Sequence, residues 1–289
     1  MNTILVPTNF SKCADNAVKY AILLEEKSKS RLIFFHSTFL SIPTQSQTAI
    51  YLQTVEAEKK NKTKILEKNI NNVYKSLSKK RNQDNSSLVV KFSSNFVIDI
   101  IEMLKNKDID LLVMGTKGAT GLKEMLIGSN TARVIERAKC PVIAVPDGVS
   151  FNDIRQITFA TDYHESDIDA LKKLIEIAKP FSAKINIIHA CDEELTPETE
   201  EMGMRMFRNI VLKKVKYNHF SFRIIFGNYL EKILQNHIKE DSPDLLAMST
   251  QKRTFFENFF ETSFTQKMAY HTSIPVLAFH HKKESEVFI

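Results

Sequence analysis

Cysteine, glycine and long apolar runs are all scarce in this sequence, and each scarcity excludes something. The three cysteines, Cys13, Cys140 and Cys191, are odd in number and scattered, with no CxxC spacing. That pattern does not make a disulfide framework and fits a reducing, cytoplasmic compartment. No stretch approaches the ~20 consecutive apolar residues that a membrane-spanning helix needs. The start, Met1-Asn2-Thr3-Ile4-Leu5-Val6-Pro7, lacks a basic segment followed by a long apolar core. It is expected to be a first β-strand and not a signal peptide. Glycine occurs only seven times in 289 residues, so any clustering of it carries information.

What is present is the composition of an ordinary soluble globular chain, 43% hydrophobic and 26% charged, long enough for two domains. The net charge of +6 raises the question of nucleic acid. The densest basic run, Lys59, Lys60, Lys62, Lys64, Lys68, Lys75, Lys79, Lys80 and Arg81, lies along a helix whose apolar residues are Leu66, Ile70, Val73 and Leu77. A basic face opposite an apolar stripe is a solvated face. No recognition-helix, zinc-finger or aromatic RNA-binding pattern accompanies it, so no nucleic-acid partner is expected.

Self-similarity organises the chain. Ile4-Leu-Val-Pro-Thr-Asn-Phe10 aligns with Ile157-Thr-Phe-Ala-Thr-Asp-Tyr163, and Leu32-Ile-Phe-Phe-His36 aligns with Ile185-Asn-Ile-Ile-His189. A shorter middle segment then brings Asp110-Leu-Leu-Val-Met114 onto Asp244-Leu-Leu-Ala-Met248, and Pro141-Val142 onto Pro275-Val276. The two copies are expected to meet at Pro146-Asp147-Gly148, giving domains 1–147 and 148–289. Within each, short β-branched runs (Ile4–Val6, Leu32–Phe35, Leu88–Phe92, Leu111–Met114, Val142–Val145 in the first) alternate with helical stretches. The fold class is therefore α/β: two tandem doubly wound parallel five-stranded sheets, Rossmann-like. With the order 3-2-1-4-5, a ligand sits where the winding reverses, between strands one and four.

The glycines fall there. Four of the seven lie in Gly115-Thr-Lys-Gly118-Ala-Thr-Gly121-Leu-Lys-Glu-Met-Leu-Ile-Gly128, and a helix follows at Ser129-Asn130-Thr131. Backbone that can approach a ligand closely, beside a helix N-terminus, is what a phosphate cradle needs. The spacing is neither a Walker loop nor a dinucleotide GxGxxG. Gly-x2-Gly-x9-Gly-Ser resembles the ATP-binding signature of the universal stress protein family, and Pro7-Thr8 and Cys140-Pro141-Val142 are similar to that family too. The resemblance implies an adenine nucleotide, ATP or a relative, with magnesium as a companion ion. Its phosphates would rest on Gly115, Gly118, Gly128, Ser129, Asn130 and Thr131. Its adenosine end would lie near Pro7, Thr8, Asn9, Ser37 and Met114. ATP-binding members usually carry Asp where Asn9 stands, and that change weakens the site by about 1 kcal/mol without removing it.

The second copy reverses the pattern. Asp162 occupies the position of Asn9, but Gly115, Gly118 and Gly128 become Ser249, Lys252 and Thr262, so ATP is not expected there. The resemblance further implies that the two copies pair through Val142–Val145 and Val276–Phe279, with a homodimer of chains open. Phe255, Phe256, Phe259 and Phe260 mostly inherit apolar positions and read as core or interdomain contact. His36 and His189 recur at the ends of both second strands, which points to a shared structural bond in preference to metal ligation. His280-His281 lacks partners with metal-ligand spacing. Cys13 reads as buried helix packing, and Glu240-Asp241 as a solvated turn. No Ser-His-Asp or Cys-His pairing is legible and no catalytic residue is assigned. The function implied is a cytoplasmic stress-response protein acting through its nucleotide-bound state as a regulatory or protective module. A slow ATPase or phosphotransfer enzyme, and a ligand-free tandem scaffold, are the alternatives.

Overall fold

A computed structural model describes residues 1–40, 48–106, 108–116, 129–149, 153–191, 196–228, 230–249 and 274–279. In the first half the order is β1 (Thr3–Pro7), α1 (Lys12–Ser28), β2 (Arg31–Thr38), α2 (Thr48–Ser76), β3 (Ser86–Phe92), α3 (Phe96–Asn106), β4 (Leu111–Gly115), α4 (Ser129–Arg137) and β5 (Val142–Val145). The second half follows with β6 (Gln156–Ala160), α5 (Ser166–Ala178), a 3₁₀ turn at Lys179–Phe181, β7 (Lys184–Cys191), α6 (Pro197–Lys214), β8 (Phe220–Phe226), α7 (Leu230–Asp241), β9 (Leu245–Ser249) and β10 (Val276–Phe279). Each half has the order 3-2-1-4-5, and the halves join edge to edge in one ten-stranded sheet, β3-β2-β1-β4-β5-β10-β9-β6-β7-β8.

Strand alternation decides which face each residue buries. Ile4 and Val6 of β1, with Leu111 and Val113 of β4, enter one apolar cluster, while Leu5, Leu112 and Met114 enter a second on the opposite face. The first cluster does not stop at the midpoint. Ile143 and Val145 of β5 belong to it together with Leu277 and Phe279 of β10, and with Ile157 and Phe159 of β6. The central strand of each half is fastened at its start by a carboxylate. Asp110 Oδ2 accepts from the Asn2 and Thr3 amides at 2.6 and 2.9 Å, and Asp244 Oδ2 from the Arg155 and Gln156 amides at 2.8 and 2.9 Å.

β5 and β10 run antiparallel, with Ala144 opposite Val276, Ile143 opposite Leu277 and Val142 opposite Ala278. Every residue of these two strands is buried. Unpaired, each would be a flat apolar edge open to aggregation.

Helix α2 buries Leu66, Ile70, Val73 and Tyr74 against the sheet, the stripe legible in its spacing. Its basic run is not all solvated, however. Lys79, Lys80 and Arg81 lie beyond the helix, and the Arg81 side chain is only 7% exposed. Its Nε donates to Ser86 Oγ at 2.8 Å, Glu67 lies 3.8 Å from Nη1, and the guanidinium sits over the Phe34 ring. Asp241 is likewise not in a solvated turn: it ends α7 and takes Arg223 at 3.1 Å.

A cluster shared across the β5–β10 junction should unfold as one unit. Ile143→Asp places a carboxylate in that cluster and is expected to cost on the order of 3 kcal/mol or more. In calorimetry both halves should lose stability together; a second transition left at the wild-type midpoint would contradict the shared core.

Candidate functional site

Parallel pairing of β1 with both β2 and β4 places the segments after Pro7 and Gly115 side by side at the carboxyl end of the sheet. Beyond β1 the chain makes a compact turn. The Thr8 amide donates to the Phe35 carbonyl at 2.8 Å, the Phe10 amide to Thr8 Oγ1 at 3.1 Å, and the Ser11 amide to Asn9 Oδ1 at 3.2 Å. Ser11 then caps α1, accepting from the Ala14 amide. Pro7, Thr8, Met114 and Thr131 are buried, Ser37 and Gly115 are half-buried, and Asn9, Ser129 and Asn130 are exposed. Side-chain contact with a ligand in solution therefore falls first to Asn9, Ser129 and Asn130. The Asn9 acceptor oxygen already closes a local turn, so the residue can present its amide donor there.

Thr131 Oγ1 donates to the Gly115 carbonyl at 2.9 Å. This bond fixes the N-terminus of α4 against the end of β4, where helix amides and dipole favour an anion. Gly115 has a packing reason of its own: a Cβ there would stand 2.8 Å from the Cys13 carbonyl oxygen and 2.9 Å from Cys13 Sγ. Its lack of a side chain lets α1 lie on β4. Cys13 is buried, its thiol donating to the Val145 carbonyl at 3.5 Å. Gly118 and Gly128 lie outside the described residues, as do Lys252, the Phe255–Phe260 cluster, Thr262 and His280-His281.

The recurrent histidines do share a structural bond. His36 Nδ1 lies 2.9 Å from the Thr8 carbonyl and His189 Nδ1 lies 2.8 Å from the Thr161 carbonyl, so each Nδ1–H donates. Each ring packs on an aromatic held at φ 64°: Phe10 with His36 at 4.4 Å, Tyr163 with His189 at 4.1 Å. A left-handed aromatic costs about 1–2 kcal/mol, and ring packing offsets it in both halves. The aromatic pair was visible in the repeat as Phe10 and Tyr163, but nothing local in the sequence indicates positive φ without glycine.

The halves differ beside these histidines. In the first, Ser37 Oγ donates to Asp99 Oδ2 at 2.6 Å, and Lys91 Nζ meets Asp99 Oδ1 at 2.8 Å. Asp99 is 1% exposed, so the Ser37 hydroxyl proton is committed inward. In the second half the matching register positions on the strands are Ala190 and Ile225. The second half instead brings together Thr158, His237 and Asp241, with Thr158 Oγ1 2.9 Å from His237 Nε2 and Asp241 3.5 Å from His237 Nδ1. Nothing local in the sequence links Thr158 of β6 to the His237–Asp241 pair of α7. Thr158 is fully buried within β6, so it has no access to a substrate; the line is internal bonding.

Two matches to one family model cover residues 1–146 and 153–280, and its description is the universal stress protein family. The chain belongs to that family. Two universal stress proteins of Methanocaldococcus jannaschii are 27% and 30% identical to it, each over 49% of this chain and over 80% and 93% of their own lengths. A universal stress protein from Archaeoglobus fulgidus superposes with a TM-score of 0.67 at 17% identity, covering 96% of this chain and 98% of that one. One from Pseudomonas aeruginosa gives a TM-score of 0.57 at 13% identity over 97% and 93%. At those identities the structural likeness establishes the fold, a tandem universal stress protein arrangement, and not a ligand.

In this family framework the second crevice is acidic. Burial pushes the Asp167 carboxyl up to about 6, with Asp162 adding to the rise and the Thr161 hydroxyl opposing it. A carboxyl whose native value exceeds its unfolded value of 3.8 costs stability above both values, and the cost fades as pH falls through that window. Asp167→Asn should therefore stabilise the chain by on the order of 1–3 kcal/mol near neutral pH, with the gain closing by about pH 4. Urea unfolding at about pH 7.5 and about pH 4.5 checks this; a variant less stable at both would contradict it.

Proposed function

We propose that the chain binds an adenine nucleotide, ATP, in the crevice between β1 and β4, and acts in the stress response through that bound state as a regulatory or protective module. One observation carries the reading: Thr131 ties the N-terminus of α4 to the end of β4, with Ser129 and Asn130 exposed there. This places helix amides at the switch point, where a polyphosphate gains most from them. The Gly-x2-Gly-x9-Gly-Ser spacing supports it by resemblance to the family's ATP signature. Magnesium is the natural companion of a triphosphate held this way.

In this reading residues 1–147 form the nucleotide-binding unit, and residues 148–289 form a unit that does not take ATP. The absence of the loop glycines and the acidic surroundings of Asp167 support the second half of that statement. The three cysteines form no disulfide, in keeping with a reducing, cytoplasmic setting. Membership of the family supports the stress role at the level of the family.

Titration calorimetry with ATP tests the site. Gly128→Asp puts a side chain and a like charge at the α4 N-terminus and should weaken binding more than tenfold. Asn9→Asp restores a second acceptor and should tighten it by roughly fivefold, the equivalent of about 1 kcal/mol. Binding unchanged by Gly128→Asp would remove the assignment.

A further inference from the structure

The corresponding crevice of the second half holds a different set of atoms. His189 and Cys191 are two residues apart at the carboxyl end of β7 and share one face of the strand. Glu200, in the first turn of α6, lies across from them, with Oε2 3.1 Å from His189 Nε2. The His189 nitrogen, the Cys191 sulfur and a Glu200 carboxylate oxygen all lie within 4.8 Å of one another. Cys191 is buried, and the His189 and Glu200 side chains are each 14% exposed. We infer that His189, Cys191 and Glu200 bind a divalent transition metal, with zinc the best match to the donor set.

The chemistry of the three atoms selects the ion. One thiolate, one imidazole and one carboxylate suit a borderline-soft cation and not calcium or magnesium, which prefer all-oxygen shells. In a tetrahedral zinc site, bonds of about 2.0–2.3 Å leave the ligand atoms roughly 3.3–3.8 Å apart. The His189–Glu200 separation of 3.1 Å lies just below that range and the whole set lies within 4.8 Å, so small rotamer changes suffice.

The histidine is already set for the task. Its Nδ1–H donates to the Thr161 carbonyl, which directs the Nε2 lone pair toward Glu200 and Cys191, the outer bond that orients metal-binding imidazoles. The Tyr163 ring is stacked on His189, and the Tyr163 hydroxyl is buried with no hydrogen-bond partner among the described residues. A water in the fourth position of the ion would give that hydroxyl an acceptor. On binding, the metal replaces the proton of the Cys191 thiol, whose sulfur lies 3.8 Å from the Ile225 carbonyl oxygen, together with any proton held between His189 and Glu200. These protons pass to solvent; no redox step is involved.

The first half shows why the site is confined to the second. His36 keeps the same bond to its own threonine carbonyl. However, Thr38 stands where β7 has Cys191, in the register that pairs Thr38 with Phe92 and Cys191 with Phe226. His189 faces the Glu200 carboxylate. The same scaffold therefore offers thiol plus carboxylate beside the histidine in the second half, and a threonine in place of the thiol in the first.

The test uses the full-length chain, stripped with a chelator and then titrated with zinc. One ion per chain is expected, measured by calorimetry and elemental analysis. Cobalt substitution should give the near-ultraviolet charge-transfer band of a thiolate ligand. Cys191→Ser should abolish that band, and Glu200→Gln should weaken zinc binding more than tenfold. Circular dichroism of the stripped variants guards against misfolding, and Glu200→Gln alone decides the matter if the cysteine variant fails to fold. Failure to take up zinc would overturn the inference, as would uptake without a thiolate band or uptake indifferent to Glu200→Gln. ATP binding at the first half is read separately and should be unaffected by either variant.

Discussion

The antiparallel contact between β5 and β10 is the constraint on which the rest of the molecule depends. A doubly wound half-sheet of this size ends in a short, wholly apolar strand, and such an edge is stable only when covered. Here the two edges cover one another, through Ile143 opposite Leu277 and their neighbours. The apolar cluster on one face then runs through both halves without a break. Because β5 and β10 pair with each other, both become interior strands, and β4 and β9 lie one strand deeper, each between parallel neighbours. The crevices at the carboxyl ends of β1 and β4, and of β6 and β9, are thus built on the most buried part of the sheet. Rigid backing of this kind is what a site needs to hold its donors in place.

On that common support the halves have kept one device and changed the rest. The kept device is the histidine donating to a threonine carbonyl and packing on a left-handed aromatic. It stabilises the turn after the first strand whatever the crevice holds. Around it, the first half places Ser37, Asp99 and Lys91 in a closed polar group. The second half replaces that group with Ala190 and Ile225 and adds Cys191, Glu200 and the buried Asp167. The two crevices therefore offer different donors: a closed Ser37–Asp99–Lys91 group in the first, and an imidazole, a thiol and a carboxylate in the second.

Much of the fold was legible because it is written twice. The offsets linking Ile4 with Ile157, His36 with His189 and Asp110 with Asp244 located the strands. Near-continuous apolar runs identified a parallel sheet covered on both faces. The Nδ1 bond shared by the repeated histidines also followed from repetition, but repetition argued against metal ligation, the role inferred for His189 through its Nε2. Other features depend on tertiary approach and leave no local trace. Arg81 was grouped with a solvated basic run, yet it folds back over Phe34 and Ser86. Gly115 was legible as a ligand-facing glycine, but the close pass of Cys13 that also requires it was not. The meeting of Cys191 with Glu200 joins a strand end to a separate helix, and no spacing rule connects them. Asp241 reads as a turn residue because the Arg223 that pairs with it comes from β8, although its other neighbour, His237, stands one turn earlier on the same helix.

The central claim is that one chain carries one nucleotide site, in its first half. Its most direct test is to denature the purified chain and identify and count any released nucleotide by mass spectrometry, after saturation with ATP and removal of the excess. About one adenine nucleotide per chain is expected. Two per chain would contradict the loss of the site from the second half, and none would contradict the assignment of the first.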